Sequence, residues 1–278
     1  MEYKIYYPQI PNMGDLLNKD MLESLFNISV IRSEKNDCNM LAIGSCLKYL
    51  LYSEKFIISI KERIKKMSSD FPFYVWGTGF ANYNTQIDNG FKYNNVNILS
   101  LRGNLSKQRL EKVLDNDIDV PLGDGGLLAE RWLGYMPEKK YRVGIIPHFR
   151  EKDSSLLLDI KSCYPDSTII DLGESPIDVV KKIASCETIL SSSLHGLIVS
   201  DSFHIPNRHI TLFPFGNRMR SDGFKFADYY SSYGIKDEPI DMNNKKRWPS
   251  YSEILNGYQI EFDVVEQKKQ QIYSIFPR

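Results

Sequence analysis

Short apolar segments alternate along this chain with segments whose apolar residues recur at helical spacing. The predicted strands lie at residues 3–7, 40–43, 71–76, 96–101 and 118–122, and then at 141–147, 167–172, 188–190 and 209–213. Strands that alternate with helices are typical of parallel sheets with right-handed crossovers. The sequence therefore predicts an α/β protein.

The alternation breaks at residues 133–140, where Gly134, Pro137 and a charged run predict a linker. We therefore expect two Rossmann-like domains that face each other across a cleft. The predicted units are residues 1–132, residues 141–260, and a closing helix at 261–278 that could pack back on the first domain. A polar loop is predicted at 243–247.

Composition excludes several classes of protein. The 278 residues carry 35 basic and 35 acidic side chains, so the zero net charge argues against a nucleic-acid partner. No apolar run approaches the roughly 18 residues of a membrane span, and Met1-Glu2-Tyr3-Lys4 lacks the features of a signal peptide. The four scattered cysteines have no metal-site spacing. We expect a cytoplasmic protein without a bound metal and with at most peripheral membrane contact.

The strand at 188–190 runs into three serines, Ser191 to Ser193, and a helix then begins. The first backbone N–H groups of a helix lack partners and its dipole is positive there, so such a turn favours phosphate or carboxylate. His195 falls in the first helical turn, where we expect an exposed imidazole in the cleft with a pKa lowered by the helix end. Alternatively, Ser193 is only an N-cap and His195 a surface histidine.

Polar residues also follow other predicted strands, and ligands of parallel sheets bind beyond these carboxyl ends. They are Asp15, Asn18, Arg102 and Asp124 in the first half, and His148, the serine turn with His195, and Lys225 in the second. This pattern predicts a ligand site between the two units. Arg102 could bind a carboxylate or phosphate in bidentate fashion, or form a surface salt bridge. Asp15 could equally be the N-cap of the first helix.

Five motifs occur in the order found in the polysaccharide pyruvyl transferase family, and the chain resembles the branch that acts on succinoglycan-type exopolysaccharides. They are Asn12-Met13-Gly14-Asp15-Leu16-Leu17-Asn18, Gly123-Asp124-Gly125-Gly126-Leu127-Leu128, Ile145-Ile146-Pro147-His148, Ser193-Leu194-His195-Gly196 and Phe224-Lys225-Phe226-Ala227-Asp228-Tyr229-Tyr230. Two positions depart from the family pattern. Gly125 stands where proline is expected, and Gly103 follows Arg102 where many members carry an acidic residue.

The resemblance implies a GT-B-like fold and the transfer of pyruvate from phosphoenolpyruvate to two hydroxyls of one sugar. The products are a cyclic ketal and phosphate. The implied partners are phosphoenolpyruvate, as a co-substrate without any further cofactor, and a sugar acceptor. The family often uses lipid-linked oligosaccharides of exopolysaccharide or capsule biosynthesis at the inner membrane face. The first domain would take the acceptor side with part of the donor site, and the second the phosphate.

This chemistry needs an acid for the methylene carbon of the donor and a base for the acceptor hydroxyl. His195 is the predicted acid or partner of the leaving phosphate, because histidine titrates in the right range. Asp15 and His148 are candidates for the base. The predicted substrate-binding residues are Arg102, Ser193, Leu194, Gly196, Lys225, Asn18 and Asp124.

Two other functions fit the same pattern. A GT-B glycosyltransferase would share the architecture and the phosphate site, but Lys225 and Asp228 stand where we would expect a ribose-binding glutamate. A non-catalytic phosphosugar-binding module would need no acid or base. Release of phosphate from phosphoenolpyruvate with a sugar acceptor distinguishes the pyruvyl transferase from both.

Overall fold

The protein is α/β with two parallel five-stranded sheets, which confirms the predicted class. Its computed structural model describes residues 1–51, 72–83, 91–213, 222–245 and 248–278. The first residue of the strand predicted at 71–76 and the last two of the loop predicted at 243–247 lie outside these ranges.

The first sheet has the strand order β2-β1-β3-β4-β5. Its strands are β1 (Glu2–Tyr6), β2 (Ser29–Ser33), β3 (Met40–Leu41), β4 (Phe73–Val75) and β5 (Val96–Ile98). Strand β2 was not predicted from the sequence; it pairs along its whole length with β1. The prediction of a strand at 118–122 was wrong, because Leu122 makes only an isolated bridge with Leu101.

The second sheet has the strand order β10-β9-β8-β6-β7. Its strands are β6 (Tyr141–Ile146), β7 (Ser167–Ile169), β8 (Cys186–Ser191), β9 (Asn207–Thr211) and β10 (Ile240–Asp241). Counted within each sheet, both follow the order 2-1-3-4-5, so the order reverses between the first and third strands. Ligands of such sheets bind outside the carboxyl ends of the strands at this reversal, which here means β1 and β3 in one sheet and β6 and β8 in the other.

Helices connect and cover the strands. Those of the described residues are α1 (Met13–Phe26), α2 (Asn104–Leu114), α3 (Ala129–Leu133), α4 (Leu156–Cys163), α5 (Pro176–Ala184), α6 (Leu194–Ser202), α7 (Phe224–Ser231), α8 (Tyr251–Asn256) and α9 (Phe262–Ser274). None of these helices is long and apolar enough to cross a membrane.

The C-terminal segment lies against elements of the first sheet. The indole of Trp76 donates a hydrogen bond of 2.9 Å to the carbonyl of Ile272 in α9. The ring of Phe276 stacks on Phe26 of α1 with centroids 3.8 Å apart. One apolar cluster therefore runs from α1 through α9 into the residues around α6.

Candidate active site

A cavity of about 540 Å³ lies at the carboxyl ends of both sheets. Its walls include residues that follow β1, β3, β6 and β8, the four strands at the two reversals of strand order. Its charged and titratable side chains include Asp15, His148, Glu151, His195 and Lys225. The cavity thus occupies the position that parallel sheets use for ligands.

The serine turn forms one end of this cavity. Ser193 is the N-cap residue of α6, but its side chain makes no capping hydrogen bond. Instead, the Ser193 N–H donates to Ser191 Oγ at 3.0 Å, which fixes the turn. Ser193 and Leu194 both line the cavity, so the uncapped end of α6 opens into it. The unpaired N–H groups and the helix dipole favour an anion at this end.

His195 is buried rather than exposed, with 9% of its surface accessible. Its ring packs on Gly14 of α1 so tightly that a Cβ on that glycine would overlap Nδ1. Within the described residues, Nε2 has no hydrogen-bond partner. Burial lowers the pKa of His195 to about 3, with smaller effects from the charges of Lys225 and Arg102. The expected direction is therefore correct, but desolvation rather than the helix end is its main cause.

Asp15 faces the same cavity from α1. The prediction that it caps the helix was wrong, because α1 begins at Met13 with Asn12 as its N-cap residue. The side-chain amide of Asn12 donates to Asp15 Oδ2 at 2.7 Å. Burial raises the pKa of Asp15 to about 6, against the opposing effects of Asn12 and Lys225. The carboxylate can therefore take up a proton near neutral pH.

His148 and Glu151 stand beside the serine turn. The backbone N–H of His148 donates to Ser192 Oγ at 2.9 Å. The Ser192 hydroxyl in turn donates a short hydrogen bond to Glu151 Oε2. Burial, assisted by Lys225, lowers the pKa of His148 to about 3. Glu151 was not predicted as a site residue. A carboxylate three residues after the strand-end His148 is the sequence feature that could have identified it.

Lys225 enters the cavity from the first turn of α7. Burial lowers its pKa to about 8, and the carboxylates of Asp15 and Glu151 partly oppose this shift. Its Nζ lies 5.1 Å from the ring centroid of Phe226. Lys225 is thus a cation that burial has partly stripped of water, close to two buried carboxylates.

A third histidine, His209, also lines the cavity and was missed as a site residue. In the sequence, His209 marks only the start of a predicted strand. Its Nδ1 lies 2.8 Å from Asp237 Oδ1, and its ring stacks on Phe226 with centroids 3.7 Å apart. Only the fold reveals this pair, because 28 residues separate its members along the chain.

Arg102 does not line the cavity within the described residues, contrary to the sequence expectation. Its side chain is fully buried, so it forms no surface salt bridge either. Its Nε and Nη2 contact Asp228 Oδ2 at 2.9 and 2.8 Å. Nη2 also donates a hydrogen bond of 2.5 Å to the Phe80 carbonyl. The remaining nitrogen, Nη1, donates to Ser45 Oγ at 2.7 Å. Ser45 does line the cavity, so Arg102 reaches the site through this hydroxyl.

Asp228 also joins α7 to α2. Its Oδ1 accepts the backbone N–H of Ser106 at 2.7 Å, and Ser231 Oγ accepts that of Asn104 at 2.9 Å. Side chains of α7 therefore cap the N-terminus of α2. These contacts fix the helix that carries Lys225 against the N-terminus of α2.

Three further predicted binding residues lie outside the cavity lining and have packing or positioning contacts instead. Asn18 exchanges two hydrogen bonds of 2.9 Å with the backbone of Ile43, which holds α1 to the end of β3. Asp124 accepts the Gly126 N–H at 2.9 Å, and burial raises its pKa to about 6. A Cβ on Gly196 would overlap Ser191 Oγ, so this glycine permits the close packing of α6 on β8.

The site as a whole combines an uncapped helix end, a half-buried lysine, three histidines, two of them held neutral by burial, and the carboxylates of Asp15, Glu151 and Asp237. Such a set can hold an anion and can move protons. In the described part of the chain, no three His, Cys, Asp or Glu side chains are grouped so that they could hold a metal ion.

Comparison with known proteins gives the site a family context. The model of the family described as "Polysaccharide pyruvyl transferase" matches residues 126–212, which include His148 and the serine turn. The chain is 28% identical over 288 residues to "Uncharacterized protein L143" of Acanthamoeba polyphaga mimivirus, covering 98% of this chain and 90% of that protein. It is 27% identical over 101 residues to "Succinoglycan biosynthesis protein ExoV" of Rhizobium meliloti, covering 36% of this chain and 30% of ExoV.

Proposed function

We propose that this chain, a member of the polysaccharide pyruvyl transferase family, transfers pyruvate from phosphoenolpyruvate to two hydroxyls of one sugar. The observation that carries the proposal is the meeting, in one cavity, of an uncapped helix end with the buried titratable side chains of His195 and Asp15. The reaction requires both kinds of group, since its donor is a small dianion or trianion and its chemistry is proton transfer.

The donor binds at the end of α6. Its phosphate lies against the N–H groups that follow Ser193, and Lys225 neutralises part of its charge. His195, with Nε2 unpaired in the described structure, contacts the donor as well. A cation with few water molecules is suited to this task, because a buried charge interacts more strongly with a ligand than a solvated one does.

The chemistry begins with addition of an acceptor hydroxyl to the carbon that carries the phosphate. His195, charged once the donor is bound, protonates the methylene carbon, and Asp15 accepts the hydroxyl proton. The bond between the phosphate-bearing carbon and the phosphate oxygen then breaks, and the second hydroxyl adds to that same carbon. The products are the ketal and phosphate, and no other cofactor takes part.

The acceptor reaches the donor from the side of the first sheet, in a GT-B-like arrangement of the two predicted domains. Asp15 and Ser45 come from that side of the cavity. We propose a lipid-linked sugar of exopolysaccharide or capsule biosynthesis as the acceptor, bound at the cytoplasmic membrane face. The similarity to ExoV, a succinoglycan biosynthesis protein, supports a saccharide acceptor.

The test is a screen of pyranoside acceptors with phosphoenolpyruvate, in which phosphate release and the mass of the sugar product are measured together. We expect phosphate release that depends on the acceptor, with the mass increase of one pyruvate ketal. Consumption of a nucleotide sugar instead would identify a glycosyltransferase. Binding of phosphosugars without any turnover would identify a non-catalytic module.

A further inference from the structure

His209 and Asp237 form a buried pair on the cavity wall that the chemistry above leaves without a role. Their side chains are 7% and 9% exposed, and both residues line the cavity. The 2.8 Å contact joins Nδ1 of the histidine to Oδ1 of the aspartate. The ring is further fixed by stacking on Phe226 at an interplanar angle of 13°.

The contact with Asp237 selects one tautomer of the histidine. A carboxylate only accepts hydrogen bonds, so the proton of a neutral ring lies on Nδ1 and the lone pair on Nε2. Because the contact with Asp237 uses Nδ1, Nε2 is the ring nitrogen that remains to accept a proton. A buried carboxylate that orients a histidine in this way is the arrangement by which proteins prepare a general base.

The surroundings of the pair place it beside the donor site. Phe226, on which His209 stacks, is the neighbour of Lys225 in α7. Two residues beyond His209 in β9, Thr211 also lines the cavity and is 4% exposed. Among the described residues, its Oγ1 is a buried polar atom without a hydrogen-bond partner. This wall therefore offers a hydrogen-bonding group and a prepared base to a hydroxylated ligand.

We propose that His209, oriented by Asp237, is the base for the second acceptor hydroxyl; this inference rests on the proposed function. Ketal formation removes a proton from each of two hydroxyls on one sugar. Asp15 takes the first proton, while the methylene carbon gains one from His195. When the phosphate leaves the carbon that carried it, the second hydroxyl oxygen bonds to that carbon and its proton passes to His209 Nε2. The proton then leaves with the phosphate or to solvent, so charges and protons balance.

The experiment compares His209→Gln, His209→Ala and Asp237→Asn with the wild-type protein. Loss of a positioned general base costs about 10²–10⁴-fold in turnover, and we expect a loss in this range for both histidine variants and for Asp237→Asn. Calorimetric affinity for phosphoenolpyruvate should stay within about threefold of wild type, which also shows that the variants fold. Added imidazole should restore part of the turnover of His209→Ala, in proportion to its concentration.

The matched control is His204→Gln. His204 also contacts a carboxylate, with Nε2 2.8 Å from Glu266 Oε1, but it does not line the cavity. Turnover of this variant should equal that of wild type, and imidazole should not stimulate wild type. Near-normal turnover of His209→Gln, or a deficient His209→Ala that imidazole does not restore, would overturn the role of His209 while the proposed function stands. A wild-type protein that releases no phosphate with any acceptor would overturn both.

Discussion

Binding of phosphoenolpyruvate should be coupled to the uptake of one proton by His195. In the free protein, burial holds the pKa of this histidine at about 3, so the imidazole is neutral at pH 7. Under the proposed function, the donor brings a phosphate and a carboxylate to the end of α6, next to the ring. These negative charges favour the imidazolium, which is the form that can protonate the methylene carbon.

The size of the required shift can be estimated. For half of the His195 population to carry a proton at pH 7, the pKa must rise by about four units, which corresponds to roughly 5 kcal/mol. A unit charge about 4 Å from the ring contributes about 4 kcal/mol at an effective dielectric constant near 20. A phosphate dianion therefore suffices, even though Lys225 and Arg102 act in the opposite direction.

The assay is titration calorimetry in two buffers with different ionisation enthalpies at pH 7. Wild type should take up close to one proton per donor bound, and His195→Gln close to none. The control is His148→Gln, because burial lowers the pKa of that histidine to about 3 as well. It should retain the wild-type uptake. Any change in the protonation of the donor phosphate is the same for all three proteins. Differences in proton uptake between them therefore report the two histidines alone.

Two results would refute this reasoning. Equal proton uptake by wild type and His195→Gln would show that another group receives the proton. Turnover of His195→Gln close to that of wild type would show that this side chain binds the donor without acting as the acid.

Three further predictions follow from the packing and charges around the cavity. Gly14→Ala should reduce turnover at least tenfold, since the new Cβ must displace the ring of His195; steady-state kinetics checks this, and unchanged rates would contradict the packing. Arg102→Ala should lower the free energy of unfolding in urea by about 3–5 kcal/mol, because it leaves the buried Asp228 carboxylate without its cation. Adding Asp228→Asn to this variant should restore part of the lost stability. Turnover should fall as the pH drops through about 6, because Asp15 becomes protonated and can no longer act as a base; a pH–rate profile checks this, and the transition should be absent from the residual activity of Asp15→Asn.

Much of the architecture could be predicted because it depends on local patterns. Apolar segments alternate with segments of helical periodicity, and that alternation alone indicates parallel sheets. The strand β2 was missed because Ser29–Ser33 carries only one fully buried side chain in a polar segment. Its place is decided by pairing with β1, a contact across more than twenty residues that no local pattern reveals.

The candidate site also contains residues that a local pattern predicts and residues whose place depends on contacts distant in sequence. The serine turn and His195 could be found because a strand running into a helix fixes where the helix end lies. Arg102 also follows a strand, yet its guanidinium turns to Asp228, 126 residues away along the chain. Position at a strand end predicts which edge of the sheet a residue occupies, but the nearest opposite charge decides where a long side chain points.

By itself, the sequence determined the α/β class, the order of the five motifs that resemble the family, and the place where the serine turn runs into a helix, because each depends on residues close together in the chain. Tertiary structure alone decided which groups are buried together. It placed Glu151 beside Ser192 and Asp237 beside His209. It also lowered the pKa of His195, since desolvation depends on every element packed around a side chain rather than on its neighbours in sequence.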